Sequence, residues 1–330
     1  MRLATAAVPS PVLRRQTIII GNDDDAWAPL AATLEQSGIV SPSDTASALP
    51  AAIAFLSGLR AGARRKVETA IAANAFDIKN TPSFTRPVDD RAKVMVVGGW
   101  NPVSRPDLEL DHVTPHVMAR WMDAEDFRRP PITVFKKFPS AIADPESELI
   151  LPRINLVQGA PSEGPFEADA TLAVVIGKPA LRVPVRSALR HVFGLSLMLD
   201  VWNSEIFLEE SRVRRGMLSK NLSNLTPLGP WIEIQEGSSI DNELEIILRI
   251  GRKIRQRFRV GEFAYRIAEV ISFCSSVGLE PGDVIAFGAR IARGTGKGPL
   301  ETPTGIAPGD RIEISATGLG TLRSTVATNP

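Results

Sequence analysis

The chain has 330 residues, of which 44% are hydrophobic and 23% charged; at roughly 150 residues per domain this suits one large domain or two unequal ones and excludes disordered, collagen-like and membrane compositions. Lys and Arg total 38 against 37 Asp and Glu, a formal net charge of +1, so no global field steers the protein towards nucleic acid or acidic lipid. The one cysteine, Cys274, lies in an apolar run from Val270 to Val277, which excludes an internal disulfide or a multi-cysteine metal cage and suits a buried thiol.

In chain order, QTIII (16–20) reads as a strand and GNDDD (21–25) as a turn, without the spaced oxygens and terminal glutamate of a calcium loop. From Trp27 to Asn74 apolar residues recur at helical spacing among good helix formers, which predicts short helices. Residues 80–90 shift to Pro, Thr, Ser and Asp, the composition of a linker. This divides the chain into an N-terminal domain, 1–90, and a second domain, 91–330. Beyond the linker KVMVVGGW, ELILPRI, TLAVVIGK, GPWIEI, LEIILRI, DVIAFGAR and DRIEISA are short β-rich runs between glycines and prolines. Helices are expected at PVRSALRHVF and around Phe263 to Ser276. No apolar stretch approaches the 18 or more residues of a spanning helix. The first 16 residues carry no continuous apolar segment with a small-residue cleavage site, so the expected compartment is the cytoplasm, with no membrane partner.

The segment EADATLAVVIGK (167–178) is the most informative one. Strand alternation puts Glu167, Asp169 and Thr171 on one face. Two acids and a hydroxyl there, with Asp200 brought from the end of FGLSLMLD, make the clustered oxygens that a hard divalent cation takes; the same residues also suit a solvated strand end.

Seven segments in this order carry a family resemblance. They are FKKFPSAI (135–142), TLAVVIGK, HVFGLSLMLDV (191–201), LSKNLSNLTPLGPWI (218–232), GRKIRQ (251–256), GLEPGDVIAFGA (278–289) and IAPGDRIEISATGLGTL (306–322). With them the chain resembles the fumarylacetoacetate hydrolase family over roughly residues 91–325, and MRLAT resembles the opening strand of bacterial members. The resemblance implies an α+β fold: a mixed β-roll, β-barrel-like domain preceded by a small N-terminal α/β domain. It also implies magnesium or manganese at the mouth of the roll, a small-molecule carboxylate substrate and a homodimer.

In the family the ion is held by a Glu-x-Glu pair before the LAVVIG-like strand and by an aspartate in a later segment. Carried over residue by residue, the first glutamate falls on Asp169, the second on Thr171 and the aspartate on Asp200. Thr171 is neutral, which implies weaker metal binding or none. Glu167 offers a substitute carboxylate, but about 6.6 Å away at roughly 3.3 Å per residue. Lys220 matches the family lysine that reaches the substrate's carbonyl or carboxylate, where a fixed cation stabilises an enolate or oxyanion. Gln256 matches a glutamine that contacts ligand. The family's glycine loop begins with Gly-Thr; here it reads Gly288-Ala289-Arg290, leaving Arg290 or Arg293 to grip a carboxylate in two parallel hydrogen bonds. The family's lid His, three residues before a Glu, has counterparts in His112 and His116 without the acid, and His116 fits the spacing to FKKFPS better as acid or base. His191 is expected on a helix, in a structural role.

In RKIRQRFR, alternation turns Ile254, Gln256 and Phe258 one way and the cations the other, a solvated face without interleaved aromatics, so no nucleic-acid partner is expected. The leading expectation is an enzyme on a 2-oxo acid or β-dicarbonyl compound, a C–C hydrolase, decarboxylase or tautomerase using a divalent cation and Lys220. Its rivals are a metal-independent isomerase, dehydratase or cyclase in the same pocket, and a noncatalytic paralogous subunit.

Overall fold

The computed structural model describes residues 1–8, 15–21, 27–45, 48–73, 83–99, 132–155, 162–212, 218–235, 239–263, 265–288 and 304–327. Their strands are β1 (Arg2–Val8), β2 (Arg15–Gly21), β3 (Trp27–Pro29), β4 (Ser83–Thr85), β5 (Val94–Gly99), β6 (Ile132–Lys137), β7 (Ile142–Ala143), β8 (Glu148–Leu149), β9 (Phe166–Ile176) and β10 (Val192–Asn203). The series continues with β11 (Thr226–Ile234), β12 (Glu245–Ile250), β13 (Lys253–Arg259), β14 (Val284–Gly288), β15 (Gly305–Ile306), β16 (Arg311–Ala316) and β17 (Gly320–Val326). The helices are α1 (Leu30–Ser37), α2 (Leu49–Ser57), α3 (Ala61–Ala73), α4 (Val185–Ala188), α5 (Ser204–Arg212) and α6 (Ile267–Cys274).

Two sheets form the frame. A 12-stranded mixed sheet runs β3-β2-β1-β11-β10-β9-β14-β5-β6, with β4, β7 and β15 paired beside it, and a 5-stranded sheet runs β13-β12-β16-β17-β8. Both are open sheets among the described residues, which corrects the barrel-like expectation: β6 and β13 end their sheets as edges instead of pairing to close them. Strands from either side of residue 90 share the large sheet, because β1 pairs with β11.

The apolar run of β9 lies at the centre because both of its faces are covered. Leu172, Val174 and Ile176 join a core with Ile246, Leu248, Phe258, Ile312 and Ile314 of the smaller sheet. Ala173 and Val175 point the other way, into a core with Leu34, Ile53, Leu56, Val67 and Ile71 of α1 to α3. In α6 the buried residues Ile267, Val270, Ile271 and Cys274 follow the helical i, i+3, i+4, i+7 spacing, and the Glu269 carboxylate accepts from the Arg266 N–H at 2.8 Å at its start. The thiol of Cys274 is buried, and burial raises it to about 11.

Two local expectations need correction. PVRSALRHVF forms only the four-residue α4 and a 3-10 turn at Leu189–His191, so partly exposed His191 precedes a strand instead of riding a helix. The apolar residues that follow are buried on both faces of β10, and this tertiary burial overrides local helix propensity. ELILPRI contributes only the two residues of β8 to a ladder; Pro152, lacking an N–H, cannot extend it as a donor. No helix among the described residues is long and apolar enough to cross a membrane.

Candidate active site

The site starts from the register of two neighbouring strands. β9 and β10 pair antiparallel with Asp169 opposite Asp200, Thr171 opposite Met198 and Glu167 opposite Trp202. Pairing and period-two alternation put all six side chains on one face of the sheet. Two lysines arrive from elsewhere. Lys137 ends β6, and Lys220 lies in the turn between α5 and β11.

Asn221 fixes how these segments meet. Its Oδ1 accepts from Phe138 N–H at 2.6 Å while its Nδ2 donates to the Lys136 carbonyl at 3.0 Å. The Lys137 ammonium donates to the Lys220 carbonyl, completing the clamp. On the other side of the turn, the Glu210 carboxylate accepts from Leu218 N–H at 2.7 Å and Ser219 N–H at 3.2 Å. Asn203 starts α5 by accepting from Ile206 N–H at 2.9 Å.

The result is a buried chain of charge. Lys137 Nζ lies 2.6 Å from one oxygen of Asp200, and Lys220 Nζ lies 2.7 Å from the other. Side-chain exposure is 0% for Lys137, 2% for Asp200 and 9% for Lys220, so Lys220 is the member that still reaches outwards. Burial alone raises the Asp200 carboxyl, but the ammoniums of Lys137 and Lys220 outweigh it and hold it at about 2. Burial lowers Lys137 below the ordinary lysine value, Asp200 opposes this, and Lys220 adds to the lowering.

Asp169 is held differently. Its Oδ1 accepts from Gln256 Nε2 at 2.8 Å and its Oδ2 from the Trp202 indole N–H at 3.1 Å. Gln256 comes from β13 in the other sheet. It fits a gap in the edge of β9, between the stretch paired with β14, which ends at Thr171, and the stretch paired with β15, which starts at Glu167. There its Oε1 accepts from Ala170 N–H at 2.9 Å. Trp202 also presents its ring to Lys220, whose ammonium lies 4.8 Å from the ring centre, and the Phe207 ring stands 5.8 Å away. Trp202 and Phe207 meet edge to face at 5.0 Å.

Of the expected site residues, Asp169, Asp200, Lys220 and Gln256 therefore come together. Thr171 lies beside them, but its hydroxyl donates to the Met198 carbonyl at 2.8 Å. Glu167 is half-buried and accepts from the Thr304 hydroxyl at 3.3 Å. His116, Arg290, His112 and Arg293 lie outside the described residues. Ile254 leaves the inward face expected for it and is 41% exposed, because a register irregularity separates Leu248 from Arg249 in the partner strand; Gln256 and Phe258 keep that face.

Sequence reasoning passed over Lys137 and Trp202. FKKFPS offers two adjacent lysines, and only the pairing of β6 with β5, Lys137 opposite Val94, distinguishes the buried one. For Trp202 the available signal was a tryptophan two residues beyond Asp200 on one strand.

These residues fit magnesium or manganese poorly. Such ions take oxygen ligands with lone pairs converging at about 2.0–2.1 Å. Here both oxygens of Asp200 face ammoniums, both oxygens of Asp169 accept from neutral donors, and Thr171 brings no charge. A cation between the two aspartates would also stand next to Lys137 and Lys220. Among the described residues no three His, Cys, Asp or Glu side chains are grouped to share an ion.

Comparison with known proteins matches the Fumarylacetoacetate (FAA) hydrolase C-terminal profile to residues 111–327. An uncharacterized protein of Pyrococcus abyssi is 33% identical over 215 residues, 63% of this chain and 84% of that one. Among solved structures, maleylpyruvate hydrolase from Sphingobium sp. SYK-6, in complex with manganese(II) and pyruvate, is 21% identical with a TM-score of 0.67, and both chains are covered in full. Fumarylacetoacetate hydrolase from Exiguobacterium antarcticum is 19% identical with a TM-score of 0.68, again covering 100% of each chain. At these identities the structures speak for the fold, and the profile, spanning well over half of the chain, speaks for descent. The chain belongs to the fumarylacetoacetate hydrolase family.

Proposed function

We propose that the protein is an enzyme acting on a small carboxylate with a neighbouring carbonyl, a 2-oxo acid or β-dicarbonyl compound, and that it promotes enolate formation in an isomerisation, decarboxylation or C–C cleavage. The buried Lys137–Asp200–Lys220 chain carries this reading. A carbonyl oxygen gains negative charge as the adjacent C–H or C–C bond breaks, and a preorganised cation in a water-poor site stabilises that charge without reorganising. Lys220 is suited to this work because it shares the one carboxylate of Asp200 with Lys137 and is the least buried of the three.

The other residues serve Lys220. Asp200, held ionised, keeps both ammoniums in place. Trp202 and Phe207 fix the direction of the Lys220 ammonium and exclude water from one side of it. Gln256 and Trp202 restrain Asp169, which keeps its negative charge from turning towards an incoming carboxylate. A divalent cation, where a family member holds one, polarises the same kind of carbonyl; the donors present here do not fit one, so the polarisation is assigned to Lys220.

The test is solvent deuterium exchange at the carbon next to the carbonyl, followed by NMR on a panel of 2-oxo acids, with decarboxylation measured on those carrying a β-carboxylate. Exchange or decarboxylation above background is expected from the wild type. Lys220→Met should reduce it by about 100-fold, the effect of removing one preorganised charge-stabilising donor. An inert wild type, or a Lys220→Met variant of undiminished rate, would sink the reading.

A further inference from the structure

Resting on that reading, we infer that the site binds its anionic ligand through Lys220 without a divalent cation, and that Lys137, Trp202 and Gln256 satisfy the carboxylates a metal would otherwise bridge. Donor and acceptor atoms make the case. Asp169 and Asp200 present four carboxylate oxygens: Gln256 and Trp202 donate to the two of Asp169, Lys220 donates to Oδ2 of Asp200, and Oδ1 of Asp200 has the Lys137 ammonium at 2.6 Å as an ion pair without a hydrogen bond. Two of these groups are built in deeply. Lys137 is fully buried and also bonded to the Lys220 carbonyl, so it has no path into solvent if a metal displaces it. Gln256 is 1% exposed and also bonded to Ala170 of β9, so swinging away from Asp169 would leave a buried backbone N–H unpaired.

Trp202 completes the exclusion. Its indole lies against both halves of the site at once, with the N–H on Asp169 and the ring face towards the Lys220 ammonium. The indole N–H thereby engages a carboxylate oxygen that a metal ion would have to win from it. Thr171 adds no charge to attract one and is itself fully buried with its hydroxyl on Met198. The ligand class follows: a small mono- or dicarboxylate whose anionic oxygen meets the ammonium of Lys220, with no need to chelate.

The experiment measures binding of pyruvate and oxalate to the purified wild type by calorimetry in EDTA, repeats pyruvate with added Mn2+, and measures Mn2+ binding alone by electron paramagnetic resonance. Expected are carboxylate binding in EDTA, pyruvate affinity changed by less than about twofold by Mn2+, and no Mn2+ binding tighter than about 1 mM. Lys220→Met, folded by circular dichroism, should lose carboxylate binding. Thr171→Glu combined with Trp202→Phe, which adds an acid and removes the indole donor, should tighten Mn2+ by about tenfold or more. Pyruvate binding that requires Mn2+ overturns the metal-free site while leaving the enzyme class standing. A wild type that binds neither carboxylate in EDTA and no pyruvate with Mn2+ overturns both. Mn2+ affinity equal in the wild type and the double variant overturns the part assigned to Trp202.

Discussion

The two ends of the β9–β10 ladder are equally buried and entirely unlike. From Leu172 to Ile176 β9 faces Val192 to Leu197, an apolar stretch whose exception, Ser196, donates its hydroxyl to the Trp231 carbonyl at 2.6 Å. From Phe166 to Thr171 the same strand faces Met198 to Asn203 and carries Asp169, Thr171, Asp200 and Trp202. Asp169 is 3% exposed and Asp200 1%, scarcely more than the fully buried Leu172. Burial by itself therefore does not mark a core in this protein. One end is held by close packing and the other by paired charge and hydrogen bonds, and the two should fail in different ways.

Asp200→Asn should produce the largest effect. It leaves Lys137 and Lys220 without their shared carboxylate and should destabilise the fold by about 3–5 kcal/mol, the cost of breaking a buried ion pair from one side. A denaturation midpoint within experimental error of the wild type would mean that the lysines find other partners. At the packed end Leu172→Ala should cost about 3 kcal/mol through lost contacts and a residual cavity. That loss should be the same at pH 3 and pH 7; a pH-dependent loss would erase the distinction between the two ends.

Acid unfolding sharpens the contrast. The folded Asp200 carboxyl sits at about 2 against an ordinary 3.8. A lowered carboxyl contributes stability that is fully present above the ordinary value and lost as the pH falls through the folded one. The wild type should lose about 2 kcal/mol from this group between pH 4 and pH 2. Leu172→Ala should keep that loss and Asp200→Asn should lack it; matching acid profiles for wild type and Asp200→Asn would refute the assignment. Gln256→Leu, which strips one bond from Asp169 and one from Ala170, should cost about 2 kcal/mol or more by thermal melting. The smallest effect is kinetic: Cys274, with its thiol raised to about 11 by burial, should react with a thiol reagent only as fast as the protein opens. Rapid labelling of the native protein would place it outside the core.

Much of the fold was legible because local pattern carries it. The apolar runs that became β5, β9, β11, β12, β14 and β16 are bounded by glycine and proline and need no distant partner to be read as strands. Where local pattern was ambiguous, at PVRSALRHVF, burial on both faces of β10 decided the outcome. In the site, Asp169, Asp200, Lys220 and Gln256 were legible through family spacing. Lys137 was not, since neither composition nor alternation separates it from Lys136. The role of Trp202 was not either, because its contacts with Asp169 and Lys220 are made across strands and from a distant turn.

The amino-acid order by itself determined the strand segments, the family and the neutral hydroxyl at position 171, since each is a property of residues near one another in the chain or of their spacing. Only the tertiary structure decided that Asp169 and Asp200, 31 positions apart, stand opposite each other, and that β6, β13 and the turn after α5 deliver Lys137, Gln256 and Lys220 to them. The physical reason is range. Strand propensity acts over a few residues, whereas the partner of a buried charge is chosen by whichever distant segment the sheet register brings within about 3 Å, the reach of a hydrogen bond.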